Sequence, residues 1–183
     1  MEKNAYVRYR LVHTGQHYDR NMSDTFFSEL NIPEPDVNLG CGGGSQAEQT
    51  GTIMVAFEKE LMANPVDLLL VVGDVTSTMA CSIVAKKLNT KVAHVEAGIR
   101  SFDLYMPEEI NPMVTDSLAD YFFTTTETAI QNLLKTEIPE EKIFFVGNVM
   151  IDSLLANRHK FEKPSFWDEL KLTKGNYLVM TLH

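Results

Sequence analysis

The 183-residue sequence holds only two cysteines, Cys41 and Cys81, and one tryptophan. Neither cysteine belongs to a paired spacing, which argues against a disulfide framework or a structural zinc site and predicts a reducing, cytoplasmic setting. Cationic residues are also scarce: 16 Lys and Arg stand against 25 Asp and Glu, a formal charge of −9. No basic block offsets that excess, so neither nucleic acid nor an anionic membrane surface is expected as a partner. Long apolar runs are missing. Met1 to Arg10 is polar and charged, without the apolar core of a signal peptide, and no stretch approaches the ~20 residues of a membrane span. Gly-Lys-Ser/Thr is absent after Gly40-Cys41-Gly42-Gly43-Gly44-Ser45, so that run reads as a loop before a helix, not as a phosphate-binding loop.

What is present is a folded α/β chain with 44% apolar and 22% charged residues. Short apolar runs recur at Tyr9 to His13, Asp67 to Val72, Val92 to Val95, Tyr121 to Phe123 and Ile143 to Val146. Their continuous apolar character predicts parallel strands buried on both faces. Between them fall helix-length segments: Asp24 to Leu30, Gln46 to Ala63, Thr78 to Leu88, Glu127 to Lys135 and Ile151 to Lys160. This alternation predicts a three-layer, Rossmann-like, doubly wound sheet. Ser45 with Glu48 forms a capping box and fixes the start of the second helix. A final run, Tyr177 to Leu182, is strand-like. Residues 1–174 are thus read as one Rossmann-like domain and 175–183 as the first strand of a second.

Polar residues gather where the strands end: His13 to His17, Gly73-Asp74, His94-Val95-Glu96, Thr124 to Thr126 and Gly147-Asn148. In open parallel sheets these ends form the ligand crevice. Each such residue could instead cap the next helix, but Glu96 is followed by Ala97-Gly98, a poor helix start. Asp74, His94 and Glu96 could supply metal ligands. His94, however, lies inside its apolar run, where a hydrogen-bonded core histidine is the stronger reading. His13 and His17 have helical metal spacing but sit on a strand and its exit, so they diverge. Carboxylates facing one crevice without a metal, nucleophile or cofactor fingerprint suggest acid–base chemistry on a bound anion.

Five strings give a more specific reading: His13 to Asp19, Ser45 to Gly51, Gly73 to Thr78, His94 to Ser101 and Pro107 to Asn111. In this order and spacing they resemble the non-hydrolysing UDP-N-acetylglucosamine 2-epimerases of bacteria, and Thr124 to Thr128, Gly147-Asn148 and Ile151-Asp152 extend the likeness. The resemblance implies the N-terminal half of a two-domain fold like that of GT-B glycosyltransferases, with the active site in the cleft between two Rossmann-like halves. It implies conversion of UDP-GlcNAc to UDP-ManNAc without a redox cofactor or metal. UDP leaves C1 as the C2 proton is removed, a 2-acetamidoglucal forms, and UDP returns as C2 is protonated on its opposite face. Asp74, Glu96, Glu108 and His183 match the family's catalytic positions, and Gln16, His17 and Arg100 match substrate-binding ones. A homodimer is implied for the full-length family.

Three departures accompany the match. The family's first strand and its Gly-Thr-Arg-Pro loop would precede Met1, and its second Rossmann half would follow His183. The expected consequences are a vacant central position in the sheet, unless Tyr177 to Leu182 or a second copy fills it, and weak turnover by this chain alone. Pro112 also stands where the family usually carries Arg. It either interrupts a helix begun at Pro107 or, with Asn111 as cap, starts a later one that leaves Glu108 in a loop. A nucleotide-sugar binding module without catalysis and a GT-B glycosyltransferase domain are the alternative functions.

Overall fold

The computed structural model describes residues 6–15 and 33–180. Those residues fall into two compact units, 1–149 and 150–183. The first unit contains β1 (Val12–His13), β2 (Val37–Asn38), α1 (Gln46–Ala63), β3 (Leu68–Val72), α2 (Thr76–Lys87), β4 (Lys91–Val95), α3 (Pro107–Leu118), β5 (Tyr121–Thr124), α4 (Glu127–Leu134) and β6 (Ile143–Phe145). Every strand pairing is parallel. This is the α/β architecture expected from the alternating pattern. The expected helix at Asp24 to Leu30 lies outside the described residues.

Helix α1 begins as the sequence requires. The Ser45 hydroxyl accepts from the Glu48 N–H at 3.2 Å, and the Glu48 carboxylate accepts from the Ser45 N–H at 2.8 Å. Ile53, Phe57 and Leu61, spaced four apart, are its buried stripe. They pack with Val71 of β3, Val92 of β4 and Ala80, Cys81, Val84 and Ala85 of α2 into one core. Burying each large side chain there contributes about 1.5–3 kcal/mol. The small residues of α2 are what let two helices lie close over the same strands. A second cluster joins Ala97, Phe122 and Leu133, with Ile138 and Ile143 packed against it.

The sheet departs from expectation in two ways. First, the described strands form two sheets, β1-β2 and β3-β4-β5-β6, with β3 at an edge. Tyr177 to Met180, expected to be a strand, is irregular, and residues 181–182 lie outside the described set. Second, β3 and β6 are not buried on both faces. Leu69 and Val71 point into the core, while Leu68, Leu70 and Val72 are 44, 39 and 50% exposed, and Phe144 and Phe145 are exposed as well. Side chains two apart share a face, and helices α1 and α2 cover only one of the two faces of β3.

Helix α3 settles the Pro112 alternatives. It begins at Pro107, whose fixed φ suits a first helical position, and continues through Pro112 to Leu118. Glu108 therefore stands in the first helical turn and not in a loop. Pro112 removes the N–H that would bond the Glu108 carbonyl, but it falls early enough for the helix to persist. The predicted helix at Thr78 starts two residues earlier, and the one predicted at Ile151–Lys160 is α5 (Val149–Asn157) followed by a 3-10 turn at Arg158–Lys160. In the second unit a short helix, α6 (Phe166–Glu169), precedes an edge-on contact of Trp167 with Tyr177 at 4.9 Å. No described helix is long and apolar enough to cross a membrane.

Candidate active site at the strand ends

Strands β3 and β4 run side by side in parallel, Val72 opposite Val95, so Gly73-Asp74 and Glu96 leave the sheet at neighbouring points. The Gly73 N–H continues the ladder by donating to the Val95 carbonyl at 3.0 Å. A Cβ placed on Gly73 would sit 3.6 Å from Glu96 Oε2, so the Glu96 carboxylate lies directly beside the turn that carries Asp74. The turn that carries Asp74 and the Glu96 side chain thus share the C-terminal edge, while Gln16, expected to open into the same crevice, lies outside the described residues. Asp74 is exposed, just ahead of α2, while Glu96 is half-buried.

Glu96 has φ +67°. A non-glycine residue in the left-handed region costs roughly 1–3 kcal/mol and persists only where its surroundings enforce it, most often at functional positions. Gly98, two residues on, is also left-handed at φ +78°, and a Cβ on it would collide with the Ala129 carbonyl oxygen. The β4 exit is thus packed directly onto α4.

Helix α3 holds both loops from below. Asn111 donates from Nδ2 to the Asp74 carbonyl at 2.8 Å, and Glu109 accepts from the Ser101 N–H at 2.6 Å and its hydroxyl at 3.0 Å. Asp116 accepts from the Gly98 N–H at 3.1 Å and from Arg100 at 2.6 Å, and its other oxygen lies 2.6 Å from His94 Nδ1. Glu108, one residue before the buried Glu109, is exposed in the first turn, on the same helix that pins the Asp74 and Glu96 loops. Asn132 of α4 donates to the Gly98 carbonyl at 3.0 Å. Glu109, Asp116 and Asn132 were not singled out from sequence, and Asn111 only as a possible helix cap, although Glu109 and Asn111 lie within one of the quoted strings.

Arg100, matched to a substrate-binding position, directs its guanidinium to Asp116 and to the Ile99 carbonyl, and its side chain is 8% exposed. His94 is fully buried with both ring nitrogens engaged, the core histidine that its place in the apolar run predicts. Gln16, His17 and His183 lie outside the described residues. The start of α1 reaches the same edge, because Thr76 Oγ1 at the head of α2 lies 3.2 Å from Gln46 Oε1. Burial pushes the Cys41 thiol up, and burial, with Cys41 nearby, pushes the Cys81 thiol up to about 12. Neither thiol is poised as a nucleophile.

A family described as UDP-N-acetylglucosamine 2-epimerase matches residues 1–183. The UDP-N-acetylglucosamine 2-epimerase of Methanocaldococcus jannaschii is 44% identical over 181 residues, 97% of this chain and 49% of that protein. A UDP-2,3-diacetamido-2,3-dideoxy-D-glucuronate 2-epimerase from Pseudomonas aeruginosa is 45% identical over 175 residues, 94% of this chain and 48% of that protein. Among solved structures, the M. jannaschii UDP-GlcNAc 2-epimerase in complex with UDP-GlcNAc and UDP superposes with a TM-score of 0.86 at 45% identity, covering 92% of this chain and 46% of that one. The chain spans about half the length of the relatives it matches.

Proposed function

Since the chain belongs to the UDP-N-acetylglucosamine 2-epimerase family, we propose that its strand-end carboxylates catalyse inversion at C2 of a UDP-N-acetylhexosamine, UDP-GlcNAc to UDP-ManNAc. The observation that carries the reading is the juxtaposition of Asp74 and Glu96 on adjacent strands, with Glu96 held in a left-handed conformation. Epimerisation by elimination needs a base on one face of C2, an acid on the other, and a stabilised diphosphate leaving group. Asp74, Glu96 and Glu108 are the groups of this chain assigned to proton transfer, with His183 as a fourth. Gln16, His17 and Arg100 are assigned to the substrate. The first-turn N–H groups of α2 and α3 offer a favourable field to a diphosphate near the same edge. The proposal extends to a cytoplasmic homodimer that works without a redox cofactor.

The P. aeruginosa relative acts, by its name, on a diacetamido glucuronate, so the sugar carried by UDP is the variable within this chemistry. Titrating the 15N-labelled chain with UDP-GlcNAc tests the site. Amide shifts should concentrate at residues 73–77, 96–101 and 107–109. Shifts confined to α5, α6 or the exposed face of β3 would overturn the assignment.

A further inference from the structure

The reaction assigns no role to His94, yet this side chain is the most completely enclosed ionisable group beside the site, with an exposure of 0%. Its Nδ1 lies 2.6 Å from Asp116 Oδ1 and its Nε2 lies 2.9 Å from the Gly73 carbonyl oxygen. A neutral imidazole has one N–H and one lone pair. Both partners here are oxygens. Either neutral tautomer would aim a lone pair at one of them, at the cost of an unmade buried hydrogen bond. Moving the proton to Asp116 instead would set a neutral acid against the Arg100 guanidinium, 2.6 Å from its other oxygen.

We propose that His94 is held as an imidazolium that donates from both ring nitrogens, and that His94, Asp116 and Arg100 form a buried ionic triad positioning the turns that carry Asp74 and Glu96. Two cations around one carboxylate leave one net positive charge in the triad, and the turns and helix that bear it also carry the carboxylates of Asp74, of Glu96 beside Gly73, and of Glu108 and Glu109 on α3. The geometry of positioning is direct. His94 fixes the Gly73 carbonyl while Val95 fixes the Gly73 N–H, so the peptide preceding Asp74 is held from both sides at φ +73°. Asp116 Oδ2 fixes the Gly98 N–H, two residues after Glu96. His94 and Asp116 are positioning residues: the backbone at Gly73, before Asp74, and at Gly98, after Glu96, cannot shift without breaking a bond to the triad. The positioning role rests on the reading of Asp74 and Glu96 given above, whereas the charge on the ring does not.

The test is a long-range 1H–15N correlation spectrum of the 183-residue chain, labelled at histidine, at about pH 8, where an unperturbed histidine is almost wholly neutral. Five histidines contribute signals, and His94→Gln identifies the one of interest by its loss. Both His94 nitrogens should carry slowly exchanging protons and show imidazolium shifts. One unprotonated ring nitrogen at His94 in the unsubstituted chain would overturn the proposal. In Asp116→Asn the ring should lose its extra proton, and retention of it would overturn the triad. In that variant the amides of residues 73–75 and 96–98 should also shift while Phe145 stays unmoved. Unmoved loops would overturn positioning, leaving the imidazolium and the assigned reaction to their own tests.

Discussion

Gly98 joins the β4 exit to α4 through backbone contact, and its substitution separates packing from conformation. An alanine there would carry φ +78° and drive its Cβ into the Ala129 carbonyl and Leu133. Gly98→Ala should therefore lose about 3 kcal/mol in urea denaturation, combining left-handed strain with overpacking. Gly51 provides the contrast. It is an exposed glycine within α1 with nothing within 4 Å of the added carbon, and Gly51→Ala should gain roughly 0.5–1 kcal/mol. The buried thiols give a pH signature at the same scale. Cys81 ionises near 9 when unfolded but is pushed up to about 12 in the folded chain, so its contribution is intact below pH 9. Between those values the unfolded chain releases the proton first. Stability should fall as pH rises, by about 1.4 kcal/mol per pH unit for this one thiol. Thermal melts in thiol-free buffer, compared with Cys81→Ala, read that slope directly.

Among elements, α1 was the most legible from sequence because its signals are local. Ser45, Glu48 and the Ile53, Phe57, Leu61 stripe lie within a few turns of each other. Ser45→Ala should cost about 1 kcal/mol by removing the cap, measured by chemical denaturation. Helix α3 was the least legible. Pro112 made two starts admissible, and the choice between them depends on tertiary bonds: Asn111 to Asp74, Glu109 to Ser101 and Asp116 to His94, Gly98 and Arg100. Those bonds join residues 8 to 37 positions apart, a distance at which spacing and propensity carry no information. Glu108 and Glu109 are adjacent and chemically alike, yet one is exposed and the other 2% exposed. Helical geometry separates neighbours by about 100°, and only the packed structure says which of them faces inward.

For the whole molecule, the apolar runs located all four strands of the larger sheet, but not how much of each is covered. Leu68-Leu69-Leu70-Val71-Val72 reads as a strand buried on both faces, whereas its alternate side chains are exposed at a sheet edge. Cover is a property of neighbouring elements, which a strand's own residues do not record. The exposed side chains make the folded chain a predicted binder of apolar dyes. Native-state ANS fluorescence should fall in Leu70→Lys, and an unchanged signal would place the exposed apolar surface elsewhere. The site was legible where motif order carried it, at Asp74 and Glu96, and opaque where buried supports hold it.

The central claim, that this strand-end site belongs to UDP-GlcNAc epimerisation, is tested most directly by proton exchange at C2. The chain replaces the matching half of the M. jannaschii enzyme, to which it is 44% identical over 181 residues, and the chimera is incubated with UDP-GlcNAc in deuterium oxide while NMR follows the sugar. The account predicts UDP-ManNAc carrying deuterium at C2, with Asp74→Asn and Glu96→Gln each slowing the reaction about 100-fold or more, as loss of an acid–base group does. Undiminished exchange in both variants, or a folded chimera that binds UDP-GlcNAc yet leaves its C2 proton in place, would contradict it.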